Sequence, residues 1–254
     1  MDPKSFAIDI ATQAGDIMRN NFTIGMAKQW KADETPVTAT DKAINKLVID
    51  SVTKNFPGYA VIGEEESLDS DAEYKWICDP VDGTVPFSYG YPTFVFALSL
   101  TQNGEVILGV LYDVMMDRMA VAEKGKGAFL NNKQIFVSKN ANFMHAMVNT
   151  DVEYPLAHIR ELLNKKGAWT PNLFSAQYAG LLVAMGEFVG EIFEFKYPWD
   201  GAAVKIIVEE AGGKVTDLNG NDQRYDQPIN GYIASNGLLH DELVKLVNEI
   251  KNES

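Results

Sequence analysis

An α+β fold of stacked helix and sheet layers is the class this sequence predicts, and two observations predict it. Apolar residues recur at helical spacing in some stretches and alternate in others. The alternating stretches come as an antiparallel block, with helical patterns grouped before and after it, as layered α+β proteins require.

Taken in order, Phe6, Ile10, Ala14, Ile17 and Met18 define a helix within residues 4–22. A polar loop, Lys28 to Thr35, follows and is a candidate flap. Ile44, Leu47, Val48 and Val52 line one face of a second helix that starts near Thr40 or Asp41 and stops at Pro57-Gly58. Val61-Ile62-Gly63 and Trp76-Ile77-Cys78 read as short strands. From Thr93 to Val121 the chain reads as strands: Phe94, Phe96, Leu98 and Leu100 alternate, and Asn103-Gly104 supplies a hairpin turn before Val106 to Tyr112. Met119 to Ala122 is the last strand of that block. A helix near Pro155 to Leu163, another from Ser175 to Met185 and a strand at Val189 to Phe193 come next. The helix after Asp200 ends at Gly212-Gly213, and strands near Lys214 to Thr216 and Gly231 to Ala234 precede a final helix from Leu238.

At 254 residues and 46% hydrophobic content the chain can bury a large core. No Ser, Gly or Pro-rich linker and no repeat divides it, so one domain over 1–254 is expected. A formal charge of −13 excludes nucleic acid as a partner, because binding there rests on Lys and Arg neutralising phosphates. Neither a secretory leader nor a membrane span is legible, and the one cysteine, Cys78, lies in an apolar strand where it reads as a core residue. These features favour a cytoplasmic protein.

Chemistry concentrates where the second strand breaks. In Asp79-Pro80-Val81-Asp82-Gly83-Thr84 two carboxylates stand three residues apart in a stiff turn, with Gly83 permitting close backbone approach to a ligand. Hard cations such as Mg2+ take oxygen ligands, so this is a place to hold one. Alone the turn proves little, since Asp, Pro and Gly favour any sharp turn. Two further acidic ends accompany it: Glu64-Glu65-Glu66 after a strand, and Asp200 in Trp199-Asp200-Gly201-Ala202-Ala203 at a helix start.

With these motifs in this order, the chain resembles the inositol monophosphatase family of Mg2+-dependent, lithium-sensitive phosphatases. Pro36-Val37-Thr38-Ala39-Thr40-Asp41, Lys124-Gly125-Lys126-Gly127-Ala128-Phe129 and Glu209-Glu210-Ala211-Gly212-Gly213 extend the likeness over nearly the whole chain. The resemblance implies an alternating α/β/α/β/α layered sandwich of the sugar-phosphatase type. It implies hydrolysis of a small phosphate ester, inositol 1-phosphate foremost, by water activated on two or three Mg2+ ions. The same fold also serves fructose 1,6-bisphosphate, histidinol phosphate and 3′-phosphoadenosine 5′-phosphate, and fold does not choose among them. A non-enzyme alternative is a metal-dependent binding or regulatory protein. Relatives are commonly homodimers, and the apolar strands between Thr93 and Val121 are where an interface is expected.

Carried over by position, Glu64, Asp79 and the Val81 carbonyl are expected to hold a first ion, with Asp79, Asp82 and Asp200 holding a second. Glu64, Thr84 and Asp41 form the expected catalytic set, the Thr84 hydroxyl relaying a proton from water toward Asp41. Substrate would meet Asp82, Gly83, Thr84, Ser175, Ala176, Glu194 and Asp200. Lys31 stands about where relatives place a loop lysine, and Lys196 could meet a second phosphate. Each residue has a plainer reading. Glu64 to Glu66 could be a solvated acidic run, while Asp200 and Asp41 could be helix caps. His145, His158 and His240 read as surface or loop residues. Pro86, where relatives carry Asn, and Val204, where they carry Gly, are departures that put the surroundings of the site in question.

Overall fold

The computed structural model describes residues 1–30, 36–68 and 71–253. Lys31 and most of the flap expected at 28–35 fall outside the described residues. Helix α1 (Pro3–Asn21) is capped by Asp2, whose carboxylate accepts the Ser5 amide at 2.9 Å. A two-stranded antiparallel ribbon, β1 (Gln29–Trp30) with β2 (Pro36–Val37), leads into α2 (Ala39–Asn55).

The large sheet follows as β3 (Ala60–Gly63), β4 (Tyr74–Asp82), and, after the short helix α3 (Thr84–Tyr89), β5 (Val95–Gln102), β6 (Glu105–Asp113), β7 (Arg118–Glu123), β8 (Ala128–Leu130) and β9 (Lys133–Gln134). These seven strands lie side by side in chain order, antiparallel except for the β3–β4 pair. Asn103 and Gly104, at φ 53° and 87°, make the two-residue turn that closes the β5–β6 hairpin with Gln102 opposite Glu105. The remaining elements are β10 (Val148–Asp151), α4 (Ile159–Lys165), α5 (Ala176–Ala184), β11 (Gly190–Phe193), α6 (Ala202–Glu210), β12 (Lys214–Thr216), β13 (Tyr232–Ser235) and α7 (His240–Glu253). Strands β10–β11–β13–β12 form a second sheet.

Side-chain alternation sorts these elements into five layers. Trp76, Cys78, Phe96 and Leu98 face α1 and α2, whereas Ile77, Val95 and Ala97 face α5 and α6. Across α5 and α6 lie Phe193, Tyr232 and Ala234 of the small sheet, whose other face, Val148, Ile192 and Ile233, packs on α4 and α7. The result is the α/β/α/β/α order that the resemblance implied.

Burial corrects one expectation. Strands β5 and β6 sit in the middle of the sheet and are covered on both faces, so their apolar run reflects internal packing and not an interface between copies. The two departures are also absorbed. Pro86 is the third residue of α3, where its missing amide has no intrahelical partner; the first helical bond is Phe87 N–H to Gly83 O at 2.9 Å. Val204 fits because its neighbour on α5 is Gly180, where a Cβ would come within 2.6 Å of Val204 Cγ2. Helix α6 is tied at its far end by Glu210, which accepts the amides of Gly125 and Gly127 at 2.6 Å each. That contact accounts for the Gly spacing in Lys124-Gly125-Lys126-Gly127.

Candidate active site

Strand β4 loses register with β5 just where its acids begin: Asp79 pairs with Ala97 but Asp82 with Val95, so β4 holds one extra residue. Pro80, which has no amide to give a ladder, lies within this bulge. The bulge turns both carboxylates inward. Asp79 is 2% exposed, and its Oδ1 accepts the Val81 amide at 3.0 Å while Oδ2 accepts Gln177 Nε2 at 3.2 Å. Asp82 reaches across to the start of α5. Its Oδ2 accepts the Ser175 hydroxyl, the Gln177 amide at 3.0 Å and the Tyr178 amide at 3.3 Å.

Asp200 closes a single 3-10 turn, Pro198–Asp200, ahead of α6, whose N-cap is Gly201 with no side-chain cap bond. The cap reading of Asp200 is therefore incorrect. Carboxylate oxygens of Asp79, Asp82 and Asp200 all lie within 4.8 Å of one another, and those of Asp41, Glu64 and Glu65 form a second such group. Glu64 continues β3, its amide donating to Cys78 O at 3.2 Å.

Gly83 stands at φ 87°, and a Cβ there would lie 2.8 Å from Thr93 O and 2.9 Å from Ser175 Cβ. Only glycine can turn the chain there. Thr84 Oγ1 lies 3.2 Å from Asp41 Oδ1 and 3.0 Å from Val81 O. Asp41 Oδ2 accepts the Thr38 amide at 2.8 Å, completing a capping box on α2.

Electrostatics set this cluster apart. Burial raises Asp79 well above the ordinary carboxylate range, and the charges acting most strongly on it, Glu64, Asp82, Asp200 and Asp41, are all carboxylates. Burial likewise lifts Asp82 to about 7 against the pull of its Ser175, Gln177 and Tyr178 donors, and raises Asp41 against the Thr38 hydrogen bonds. Like charges packed this densely fit a hard divalent cation, which wants oxygen donors and supplies the missing positive charge.

Glu64, Asp82, Gly83, Thr84, Ser175, Ala176 and Asp200 line one cavity of about 360 Å³. Asp79, Val81 and Asp41 lie buried beneath it. Glu194 is not brought into it: its carboxylate accepts the Glu153 amide at 2.8 Å, and Phe193 and Phe195 line the wall on either side of it in sequence. Lys196 is exposed and does not line the cavity. Sequence reasoning missed Asp151, which ends β10 and lines the cavity, and Gln177, whose side chain steadies Asp79. Asp151 closes a strand as Asp79 nearly does, but β10 carries no apolar alternation that would have marked its end in the sequence. His240 is not a surface residue; it is fully buried, its ring nitrogens 2.9 Å from Thr216 Oγ1 and 2.8 Å from Ser235 Oγ.

A family model described as the inositol monophosphatase family matches residues 3–252. The chain is 33% identical over 256 residues to a fructose-1,6-bisphosphatase/inositol-1-monophosphatase of Thermotoga maritima, covering 100% of this chain and 98% of that one. It is 32% identical over 264 residues to inositol monophosphatase 2 of Solanum lycopersicum, covering 96% and 97%. Among solved structures, an IMPase from Thermotoga maritima superposes with a TM-score of 0.92 at 33% identity, over 100% of this chain and 99% of that one.

Proposed function

The chain belongs to the inositol monophosphatase family, whose members hydrolyse phosphate monoesters, and from that premise we propose that it hydrolyses a small soluble monoester, inositol 1-phosphate foremost, with Mg2+ as its metal. The observation that carries this reading is the meeting of Asp79, Asp82 and Asp200 within 4.8 Å at the floor of a cavity also lined by Glu64 and Thr84.

Asp79, Asp82 and Asp200 would hold one ion, and Glu64 with Asp79 and the Val81 carbonyl another; a third near Glu64 completes the proposed set. Asp82 meets its α5 donors through Oδ2, so Oδ1 is the atom it offers. When bound, divalent cations lower the pKa of water at such a site and neutralise charge on the phosphoryl oxygens. That local charge also answers the repulsion between a chain of net −13 and an anionic substrate.

The residues themselves move the proton. Thr84 Oγ1 takes a proton from the attacking water as it gives its own to Asp41 Oδ1, 3.2 Å away. Burial raises the affinity of Asp41 for that proton. Gly83 and Thr84 line the cavity, and their amides are the donors we assign to phosphate oxygens. Ser175 holds Asp82 in place and caps α5.

Among the described residues no Lys or Arg lines the cavity, which favours a single phosphate over fructose 1,6-bisphosphate or 3′-phosphoadenosine 5′-phosphate. The Thr84–Asp41 pair favours an enzyme over a binding or regulatory protein, since binding alone has no use for a proton path. We further propose a homodimer, lithium sensitivity and, with buried Cys78 unpaired, a cytoplasmic setting. No helix among the described residues is long and apolar enough to cross a membrane.

Phosphate release from inositol 1-phosphate, fructose 1,6-bisphosphate, histidinol phosphate and 3′-phosphoadenosine 5′-phosphate, each with Mg2+ and with chelator, tests the reading. Chelator-sensitive turnover greatest with inositol 1-phosphate is expected. Metal-independent turnover, or none with any ester, would overturn it.

A further inference from the structure

Phosphoryl chemistry needs charge, yet much of the cavity wall is aromatic: Phe174, Phe193, Phe195, Tyr197 and Trp199 line it beside the acids. Tyr197 and Trp199 stack at 5.0 Å with 12° between their planes, and Phe193 and Phe195 lie 5.3 Å apart. The near-parallel Tyr197–Trp199 pair is flat, apolar ground next to the phosphate end of the cavity, and Phe193 and Phe195, tilted 57° to each other, extend the apolar wall. Nothing in the proton path or the carboxylate cluster uses them.

Phe174 is the telling member. Its backbone sits at φ 54°, the left-handed region that bulky side chains avoid, and its side chain is 58% exposed. A strained residue is normally repaid by burial, and this one is not. Neighbours nevertheless fix the segment from several sides. The Phe174 amide donates to Asn172 Oδ1 at 2.8 Å, the Leu173 amide to Asn149 Oδ1 at 3.0 Å, and Thr93 Oγ1 to Leu173 O at 3.4 Å. The next residue, Ser175, is bonded to Asp82. An aromatic ring is thus held out over the cavity by the same segment that steadies a metal-binding carboxylate, at a backbone cost that its packing does not explain.

We infer that this wall is a stacking platform for the leaving group, and that beside the saturated inositol ester the enzyme also takes monoesters whose alcohol carries a flat unsaturated ring. The inference rests on the phosphomonoesterase reading and extends it to the alcohol. Ring faces stack offset or edge-on against aromatic side chains, a preference that saturated rings of equal size do not share. Asp151 also lines the cavity beside this wall, as do Glu64, Asp82 and Asp200. The Asp151 carboxyl is raised by burial, against an Asn172 hydrogen bond and the Arg160 charge, and it gives a second phosphate no purchase.

Benzyl phosphate and cyclohexylmethyl phosphate make the deciding pair. Both join phosphate to a primary alcohol and differ in the flatness of the ring, and the saturated one is the more hydrophobic. With the full chain and Mg2+, kcat/KM is expected to favour benzyl phosphate by about fivefold. Phe174→Gly relieves the left-handed strain, so folding is secure, and should bring the ratio toward one; Trp199→Leu should do the same. A ratio near one in the unaltered protein, or one that neither variant moves, would overturn the proposal. Inositol 1-phosphate serves as the control for the underlying reading. Should no ester release phosphate, that reading fails by itself, and calorimetric binding of benzylphosphonate against cyclohexylmethylphosphonate decides the platform without turnover. Tighter benzylphosphonate binding that Phe174→Gly abolishes supports it; equal binding refutes it.

Discussion

Thr84 Oγ1 stands 3.2 Å from Asp41 Oδ1, while Oδ2 of the same carboxylate accepts the Thr38 amide at 2.8 Å. One buried side chain therefore closes a helix cap with one oxygen and meets the Thr84 hydroxyl with the other. The cap and the proposed proton acceptor are not competing accounts of Asp41, since each would use its own atom.

That division predicts separable losses. Thr84→Ser keeps the hydroxyl and should retain most turnover, whereas Thr84→Val should lower kcat by about 10²-fold or more. Asp41→Ala should lower turnover and also cost about 1 kcal/mol of stability through the lost cap. Steady-state kinetics and urea unfolding on the same preparations separate the two effects. Full activity in Thr84→Val would exclude the proton path.

Asp79→Asn should abolish metal-dependent turnover without unfolding the protein. In the metal-free chain burial first, and then the neighbouring carboxylates, raise the pKa of Asp79, so a neutral amide of the same shape removes both a desolvated charge and repulsion. Melting in chelator should be equal to or above that of the unaltered chain, while the upward shift produced by Mg2+ should shrink. Wild-type activity in this variant would sink the assignment of Asp79 as a ligand.

His240 gives a prediction in pH. Burial, with help from Lys214, lowers its pKa from 6.5 to about 4, and Asp241 opposes the shift. Between these values the unfolded chain binds a proton that the folded chain does not, so stability is present above about 6.5 and is lost as pH falls toward 4. The loss amounts to at most ~3 kcal/mol. His240→Gln should flatten the dependence of unfolding free energy on pH across that window. An unchanged slope would mean that another group carries it.

Gly180→Ala should destabilise the fold by about 1–2 kcal/mol even though alanine is the better helix former, because its Cβ would press on Val204. Adding Val204→Ala should recover part of the loss. Thermal melts of the two single variants and the double variant read the coupling directly, and strictly additive effects would show that the two positions do not share space.

The three acidic motifs were legible in sequence because each pairs a turn with the residues a hard cation needs, but the strand break expected after Cys78 falls too early: β4 runs on through Asp82 over a one-residue bulge that accommodates Pro80. The cavity wall was not legible. It is assembled from the ends of β10 and β11, the Asn172–Ser175 segment and the turn before α6, so Asp151 and Phe174 become neighbours of the site only in three dimensions. Glu194 was misjudged for the same reason: counting residues back from Asp200 cannot say that its carboxylate turns to the Glu153 amide. Strand β10 escaped notice because its buried Asn149 and Thr150 break the apolar pattern. Asn149 accepts the Leu173 amide and Thr150 accepts from Arg160, and such partners carry no periodicity. His240 likewise takes its partners from Thr216, 24 residues away, and from Ser235 across the turn before α7, contacts that no periodicity announces, so an isolated histidine looked like surface.

The turn at Lys124 to Gly127 also matters to anyone who wishes to splice a tag or a reporter into this protein. Glycine-rich, largely exposed and remote from the carboxylates, it looks like a harmless insertion point. Its Gly125 and Gly127 amides, however, anchor Glu210 at the end of the helix that begins just after Asp200. An insert there would loosen a strut whose other end abuts the candidate metal site. The Pro57-Gly58 turn, where a Cβ on Gly58 would meet nothing within 4 Å, is the safer place to cut.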